Sequence, residues 1–306
     1  MIEPRGGGLF RILGPLEVWN GQEWARVSAP KWRALLAALL LTPGQPVSTG
    51  RLIADLWGDS PPAKAKNLVS VYVHRLRRLI GDGGGGVLVT RAPGYQIMLS
   101  PGDLDAERFA QLVADGRAAL AGGDAAAAAG LLSVALDLWR GPALADVPAS
   151  PAVAAEANRL EESRIQALEL RIEADLGCGR QDEVAPEVSR LVADHPLREG
   201  LWGLLMRALY GAGRQAEALE TYARAREAIV AELGVDPGTG LQQLHQDILN
   251  ADAVNAAAVM TGPPGWGVLR RCEPGPHARR LPRPLSSRPT SPTSPAGPGR
   301  SRSCAG

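Results

Sequence analysis

Lysine is almost missing from this chain: Lys31, Lys64 and Lys66 are the only three among 306 residues. No glycine-rich loop ends in Gly-Lys-Ser or Gly-Lys-Thr, which removes the phosphate cradle of nucleotide hydrolases. Histidine is as scarce, at positions 74, 195, 245 and 277. None of the four stands beside a Cys, Ser or carboxylate cluster in a triad or metal-ligand pattern. Cys178, Cys272 and Cys304 are odd in number and far apart, so neither a disulfide framework nor a zinc site is supported. Consecutive carboxylates such as Glu161-Glu162 face different sides of a helix and read as solvated surface. The longest apolar run, Ala34 to Leu41, falls far short of the ~20 residues that span a bilayer. The N-terminus has Glu3 and Arg5 before glycines and no signal-peptide core. These absences argue against an enzyme, a metalloprotein or a membrane protein. The expectation is a cytoplasmic protein with no cofactor.

The charge that is present is unevenly placed. Net charge is +1. Residues 1–95 hold 12 Lys+Arg against 6 Asp+Glu, giving +6; residues 96–255 hold 13 against 25, giving −12; residues 256–306 hold 8 against 1, giving +7. A polyanion suits the first segment and is repelled by the second, which is better suited to protein contacts.

The first segment reads as short strands, three helices and a hairpin. Phe10, Ile12, Leu16 and Val18 begin strands broken at Gly14-Pro15 and Asn20-Gly21. Pro30 opens an apolar helix from Lys31 to Leu41, with Pro at a permitted first-turn position, and Thr42-Pro43-Gly44 stops it. Ser48 or Thr49 can cap a second helix that Gly58 ends. The third helix, from about Ala63 to Ile80, carries two stripes. Leu68, Tyr72, Leu76 and Leu79 recur at helical spacing as the expected core face. Lys66, Ser70, His74 and Arg77 form a basic, hydrogen-bonding face, flanked by Asn67, Arg75 and Arg78. Such a face suits the major groove, where Arg reads guanine and Asn reads adenine. Two alternating strands follow as a hairpin, with Arg91 near its tip. Strands, three helices and a hairpin make a winged helix-turn-helix with an extra N-terminal sheet.

The run Leu52-Ile-Ala-Asp-Leu-Trp-Gly-Asp-Ser-Pro-Pro, then Val73-His-Arg-Leu-Arg-Arg-Leu-Ile-Gly, then Thr90-Arg-Ala-Pro-Gly-Tyr, resembles the OmpR-type DNA-binding domain of Streptomyces antibiotic regulatory proteins. Leu138-Trp-Arg-Gly-Pro-Ala-Leu-Ala-Asp-Val, Glu173-Ala-Asp-Leu-Gly, His195-Pro-Leu-Arg-Glu, Gly213-Arg-Gln-Ala-Glu-Ala-Leu and Glu232-Leu-Gly-Val-Asp-Pro-Gly resemble that family's bacterial transcriptional activator domain. The resemblance covers roughly residues 9 to 250. It implies an activator of a secondary-metabolite gene cluster that binds direct repeats in promoter DNA, meets RNA polymerase holoenzyme and pairs as a homodimer on DNA. It aligns His74, Arg75, Arg77 and Arg78 with the contact-rich stretch of the recognition helix. Arg75 and Arg77 are the expected base readers, with Lys66, Asn67, Ser70 and His74 as further candidates. Arg91 matches the wing arginine of the minor groove, and Tyr95 packs the wing and is a candidate for a phosphate contact. Lys31 and Arg33 are candidates for phosphate contact, and the loop Gly58 to Lys64 for polymerase. A repeat-protein adaptor whose winged helix docks on protein is the alternative.

The middle segment repeats. Leu176-Gly-Cys-Gly179-Arg-Gln-Asp-Glu183 recurs 34 residues later as Tyr210-Gly-Ala-Gly213-Arg-Gln-Ala-Glu217, the period of tetratricopeptide helix pairs. A weaker copy, Leu120-Ala-Gly-Gly-Asp124, precedes Gly179 with about 22 extra residues, part of them in Gly141 to Pro151. Trp139, Leu168, Leu201, Trp202, Leu205, Leu209, Leu219 and Tyr222 are the expected bulk of its core. After about Asn255 the chain turns rich in Pro, Arg and Ser, a composition that buries little. The expected organisation is therefore mainly α: a winged helix-turn-helix over 1–99, a tetratricopeptide-like all-α domain over 103–252 and a disordered tail over 256–306.

Overall fold

The computed structural model describes residues 8–250; the expected tail lies outside the described residues. Three short antiparallel strands come first: β1 (Phe10–Arg11), β2 (Glu17–Trp19) and β3 (Trp24–Arg26), in that order across the sheet. Asn20 closes the β2–β3 turn by accepting the Gln22 and Glu23 amides at 2.9 Å each. Helix α1 (Pro30–Leu40) starts on its proline. The two-residue strand β4 (Val47–Ser48) leads into α2 (Thr49–Trp57), which Ser48 caps by accepting the Arg51 amide at 3.1 Å. Gly58 then turns the chain out with φ 59°. Helix α3 spans Ala65–Ile80, two residues later than expected because Pro61-Pro62 sits in the turn before it. Its C-terminus is closed by Gly81 in the left-handed conformation. The hairpin β5 (Leu88–Arg91) and β6 (Gly94–Ile97) follows, and β4 adds a third strand beside β6. Gly94 is required there. A Cβ on it would lie 2.0 Å from the Val47 carbonyl oxygen.

The buried line of α3 differs from the expected one. Ala65, Val69, Val73, Leu76 and Ile80 face the core, Tyr72 and Leu79 lie at its edge, and Leu68 is only partly covered. Both lines keep helical spacing, but they differ by about one residue of rotation. The tighter β-branched pair, Val69 and Val73, fits against Leu35, Leu36 and Leu39 of α1, all of them fully buried.

The second half consists of helices α4 (Asp105–Ala121), α5 (Ala125–Leu136), α6 (Pro151–Gly177), α7 (Gln181–Asp194), α8 (Glu199–Gly211), α9 (Gln215–Leu233) and α10 (Thr239–Leu249). With them the chain has ten helices among the described residues and is mainly α, as its sequence implied. All three copies of the repeated motif make one turn. Gly123, Gly179 and Gly213 have φ of 79°, 79° and 76°. Each donates to the carbonyl three residues back, and the next residue donates five back. The pairs α4–α5, α6–α7 and α8–α9 are therefore successive repeat units. In the first pair Gly116 admits Leu132, whose Cγ would lie 2.7 Å from an added Cβ. Trp139, Leu201, Trp202, Leu205 and Leu209 are buried as expected, while Leu168, Leu219 and Tyr222 are half-buried.

One hydrophobic core joins the winged helix to the start of the helical half, running from Phe10 through Leu76 to Phe109, Trp139 and Ala167, and the helices from Ile172 to Ile248 have a core of their own. The segment Leu9–Leu16 pairs with β2 through Phe10 and Arg11 and is also held by the helical half. Asp103 O accepts the Leu9 and Phe10 amides at 2.7 and 2.8 Å. The Asp105 carboxylate accepts Ile12 at 2.8 Å and Leu13 at 3.1 Å. Arg140 and Leu144 donate their amides to Leu13 O and Ile12 O at 2.8 and 2.9 Å. Asp146 accepts the Leu16 amide at 2.8 Å. Burial pushes the Asp105 carboxyl above its ordinary range, although the two amides and Arg140, 3.5 Å away, pull it down.

Candidate nucleic-acid interface

An ideal helix turns 100° per residue, so the line opposite the buried one on α3 is Asn67, Val71, His74 and Arg78, with Ser70 and Arg75 on its flanks. All six are exposed. Val71, absent from the sequence-based candidates, is 50% exposed. The signal for it was its place four residues after Asn67 and three before His74.

The polar groups of this face are unspent. Among the described residues, the side chains of Lys66, Asn67, His74, Arg75 and Arg78 make no hydrogen bond or ion pair within the chain. Elsewhere arginine is mostly paired, as in Arg51–Asp55 at 2.9 Å, Arg171–Asp175 at 2.7 Å and Arg214–Glu217 at 2.6 Å. Four cationic or titratable donors and an amide on one exposed helix face form a surface that awaits acceptors.

The wing stands beside it. Its tip is Ala92-Pro93, with Arg91 exposed and only a long 3.4 Å contact to Gln96. The Ser70 and Tyr95 hydroxyls are 3.1 Å apart, which ties the middle of α3 to β6. Arg77 is engaged too: Nε donates to Leu88 O at 2.8 Å and one terminal nitrogen to Thr90 Oγ1 at 2.9 Å. Asp82 pins the other end of the Gly83–Gly86 loop by accepting the Gly86, Val87 and Leu88 amides at 2.7, 3.1 and 2.8 Å. Thr90 and Asp82 were not legible as parts of the site.

Two expected phosphate contacts are occupied within the chain. Lys31 Nζ donates to Leu56 O at the end of α2 and lies 5.6 Å from the centre of the Trp57 ring. Arg33 donates to Val27 O and Ser28 O at 2.8 and 3.0 Å and faces Asp146 at 3.7 Å. Arg33 therefore braces α1 against the preceding loop and the helical half, and Lys31 caps a helix. The structure thus gathers Asn67, Ser70, His74, Arg75 and Arg78 on one face, with Lys66 exposed at its N-terminal edge on the Ser70 side and Arg91 and Tyr95 beside it, while Lys31 and Arg33 lie elsewhere. No group of three or more His, Cys, Asp or Glu able to hold a metal occurs among the described residues. No helix among them is long and apolar enough to cross a membrane.

Comparison with known proteins agrees with this architecture. Residues 27–97 match the family "Transcriptional regulatory protein, C terminal", and residues 104–249 match the "Bacterial transcriptional activator domain". The regulatory protein AfsR of Streptomyces coelicolor is 45% identical over 251 residues, which are 82% of this chain and 25% of AfsR. The chain thus spans about a quarter of that relative. The regulatory protein DnrI of Streptomyces peucetius is 39% identical over 251 residues, covering 79% of this chain and 92% of DnrI. Among solved structures, EmbR of Mycobacterium tuberculosis in complex with a low-affinity phosphopeptide superposes with a TM-score of 0.75 at 35% identity, covering 82% of this chain and 68% of that one. With both domains matched in order and DnrI covered almost end to end, the chain belongs to the Streptomyces antibiotic regulatory protein family of transcriptional regulators.

Proposed function

We propose that this regulator binds duplex DNA with α3 in the major groove and the wing in the adjacent minor groove, and activates a secondary-metabolite gene cluster. The observation that carries this is the unspent face of α3, whose donors have no partner in the chain. Arg75 suits the O6 and N7 acceptors of guanine, and Asn67 the N6–N7 edge of adenine. Val71 suits a thymine methyl. Lys66, Ser70, His74 and Arg78 supply further base or phosphate contacts. Arg91 suits a narrow A·T minor groove, where the potential is most negative. One winged helix offers few contacts. Two protomers on direct repeats about one helical turn apart would double them. The exposed loop Gly58–Lys64 is the surface offered to RNA polymerase.

Footprinting and fluorescence anisotropy on the region upstream of the neighbouring operon test the reading. It requires protected tandem repeats and binding in the nanomolar range that weakens steeply with salt. Weak, sequence-blind binding would overturn it and favour an adaptor that docks on protein.

A further inference from the structure

The sequence marks Arg77 as a base reader, yet its guanidinium already has two partners in the wing. Resting on the DNA-binding reading above, we propose that Arg77 is a positioning residue: it fixes the wing, and with it Arg91, at one angle to α3.

Four observations carry this. Bidentate recognition of guanine takes two parallel N–H donors on one edge of the guanidinium. On Arg77 the edge formed by Nε and a terminal nitrogen is filled by Leu88 O at 2.8 Å and Thr90 Oγ1 at 2.9 Å. Second, the covalent link from α3 to the wing runs through four consecutive glycines, Gly83–Gly86, and glycine restricts the backbone least. The link's own backbone therefore does not set the wing's direction: Asp82 holds the start of β5, β4 pairs with β6, and β5, the outer strand that carries Thr90 and Arg91, is held along its length by β6 and by Arg77. Third, Thr90 and Tyr95 face each other as one cross-strand pair. Arg77 holds Thr90, and Ser70, two turns earlier on α3, holds Tyr95 at 3.1 Å. One rung of the hairpin is thus fixed from both sides by a single helix. Fourth, Arg91 is the residue next to Thr90, so whatever orients that rung orients Arg91. A hairpin of two four-residue strands has little stability alone.

The test uses the full chain, with anisotropy on a protected promoter fragment and on a panel of single-base substitutions, and hydrogen exchange of the free protein over residues 87–97. Arg77→Ala should lower affinity about tenfold on every fragment, leave the ranking of bases unchanged and speed exchange of the wing amides about tenfold. Thr90→Val, which leaves α3 intact, should reproduce part of both effects. Thr90→Ser, which keeps the acceptor, should behave as wild type. Added to Arg91→Ala, Arg77→Ala should cost no further affinity, because the group it positions is gone. Loss confined to one base position, with wing exchange unchanged, would make Arg77 a base reader and overturn the proposal. If the wild-type chain shows no sequence preference, the DNA reading fails, whereas unchanged exchange in Arg77→Ala and Thr90→Val fails the brace independently.

Discussion

Replacing Asp105 with alanine removes the acceptor of two main-chain donors, the amides of Ile12 and Leu13. Both residues are essentially inaccessible, at 1% and 0% exposure, so their amides lose their partner at a buried position. A buried donor left without a partner costs about 1–3 kcal/mol, and two of them about 2–6 kcal/mol. Arg140 keeps Glu17 at 2.8 Å and the Pro15 carbonyl at 3.1 Å, so its charge is not orphaned and adds little. For a chain of this size each kcal/mol moves the melting temperature by about 2–4 °C, which predicts a drop of about 5–20 °C for Asp105→Ala, followed by circular dichroism. The loss should fall on the part of the chain that shares the core from Phe10 to Ala167. Titration adds a second readout. Burial raises the folded-state pKa of Asp105 above its unfolded value, so between the two the native state holds more protons than the unfolded state. Stability from this group then falls as pH rises through the folded value and is recovered toward acid. The D105N variant should lose that acid-side gain. A D105A protein that melts within about 1 °C of wild type, or an unchanged pH profile in D105N, would each refute the reasoning.

Gly94→Ala places a Cβ 2.0 Å from the Val47 carbonyl oxygen and 2.7 Å from the Thr49 nitrogen. Both neighbours are backbone, so β4 must part from β6; a loss of about 3 kcal/mol, the upper end for overpacking, is expected in urea denaturation. Gly116→Ala meets only the Leu132 side chain, at 2.7 Å, and should cost about 1 kcal/mol. Leu132→Ala opens the space, so the two changes together should cost less than their sum. Arg75→Ala should weaken promoter binding by about 1–3 kcal/mol and flatten preference at one base position. Lys66→Ala should weaken all sequences alike and lower the salt slope by about one; both follow from anisotropy over a base panel and a salt series.

Much of this architecture is written in local signals. Pro30, Ser48 and Gly58 mark helix ends through their own backbone preferences, and each sits at the end it predicted. The repeat turn is legible because the same left-handed glycine is needed three times. What escaped depends on partners remote in sequence. Two lines on α3 satisfy a 3.6-residue period, and bulk favours Leu68 and Tyr72; only the surface of α1 selects Val69 and Val73. Arg33 and Arg77 look like their unspent neighbours until their acceptors appear, and those acceptors are mostly carbonyl oxygens, which every residue has. Asp105 reads as an acidic first-turn residue of α4, a role that helix dipoles favour anyway; its two amide partners lie more than 90 residues upstream. Strand β4 is two residues long and carries no period at all.

The irregularity in the repeat has a structural use. From Gly179 to Gly213 is 34 residues, while the first motif sits 56 before Gly179. The excess is divided between the loop 137–150 and α6, whose 27 residues compare with 13 in α8. A tetratricopeptide pair packs on its neighbour without any such loop, so the loop is not needed for the stack. It is needed for the N-terminal segment. Arg140, Leu144, Ala145 and Asp146 all bond to residues 12–16. Leu144 adopts φ 55° there, a conformation that costs a non-glycine residue about 1–2 kcal/mol; its amide bond to Ile12 O and its burial, at 3% exposure, offset that cost. Residues 12–16 precede the part matched by the "Transcriptional regulatory protein, C terminal" family, and the loop lies inside the part matched by the activator domain family. The seam between the halves is therefore built from an extension of one and an insertion in the other. Beyond these bonds the winged helix meets the helical stack through Arg33, 3.7 Å from Asp146, and through the core they share. Residues 96–255 carry a net charge of −12 and residues 1–95 one of +6, so the seam joins an acidic half to a basic one, and the pairs Arg140–Glu17 at 2.8 Å and Arg33–Asp146 at 3.7 Å run across it.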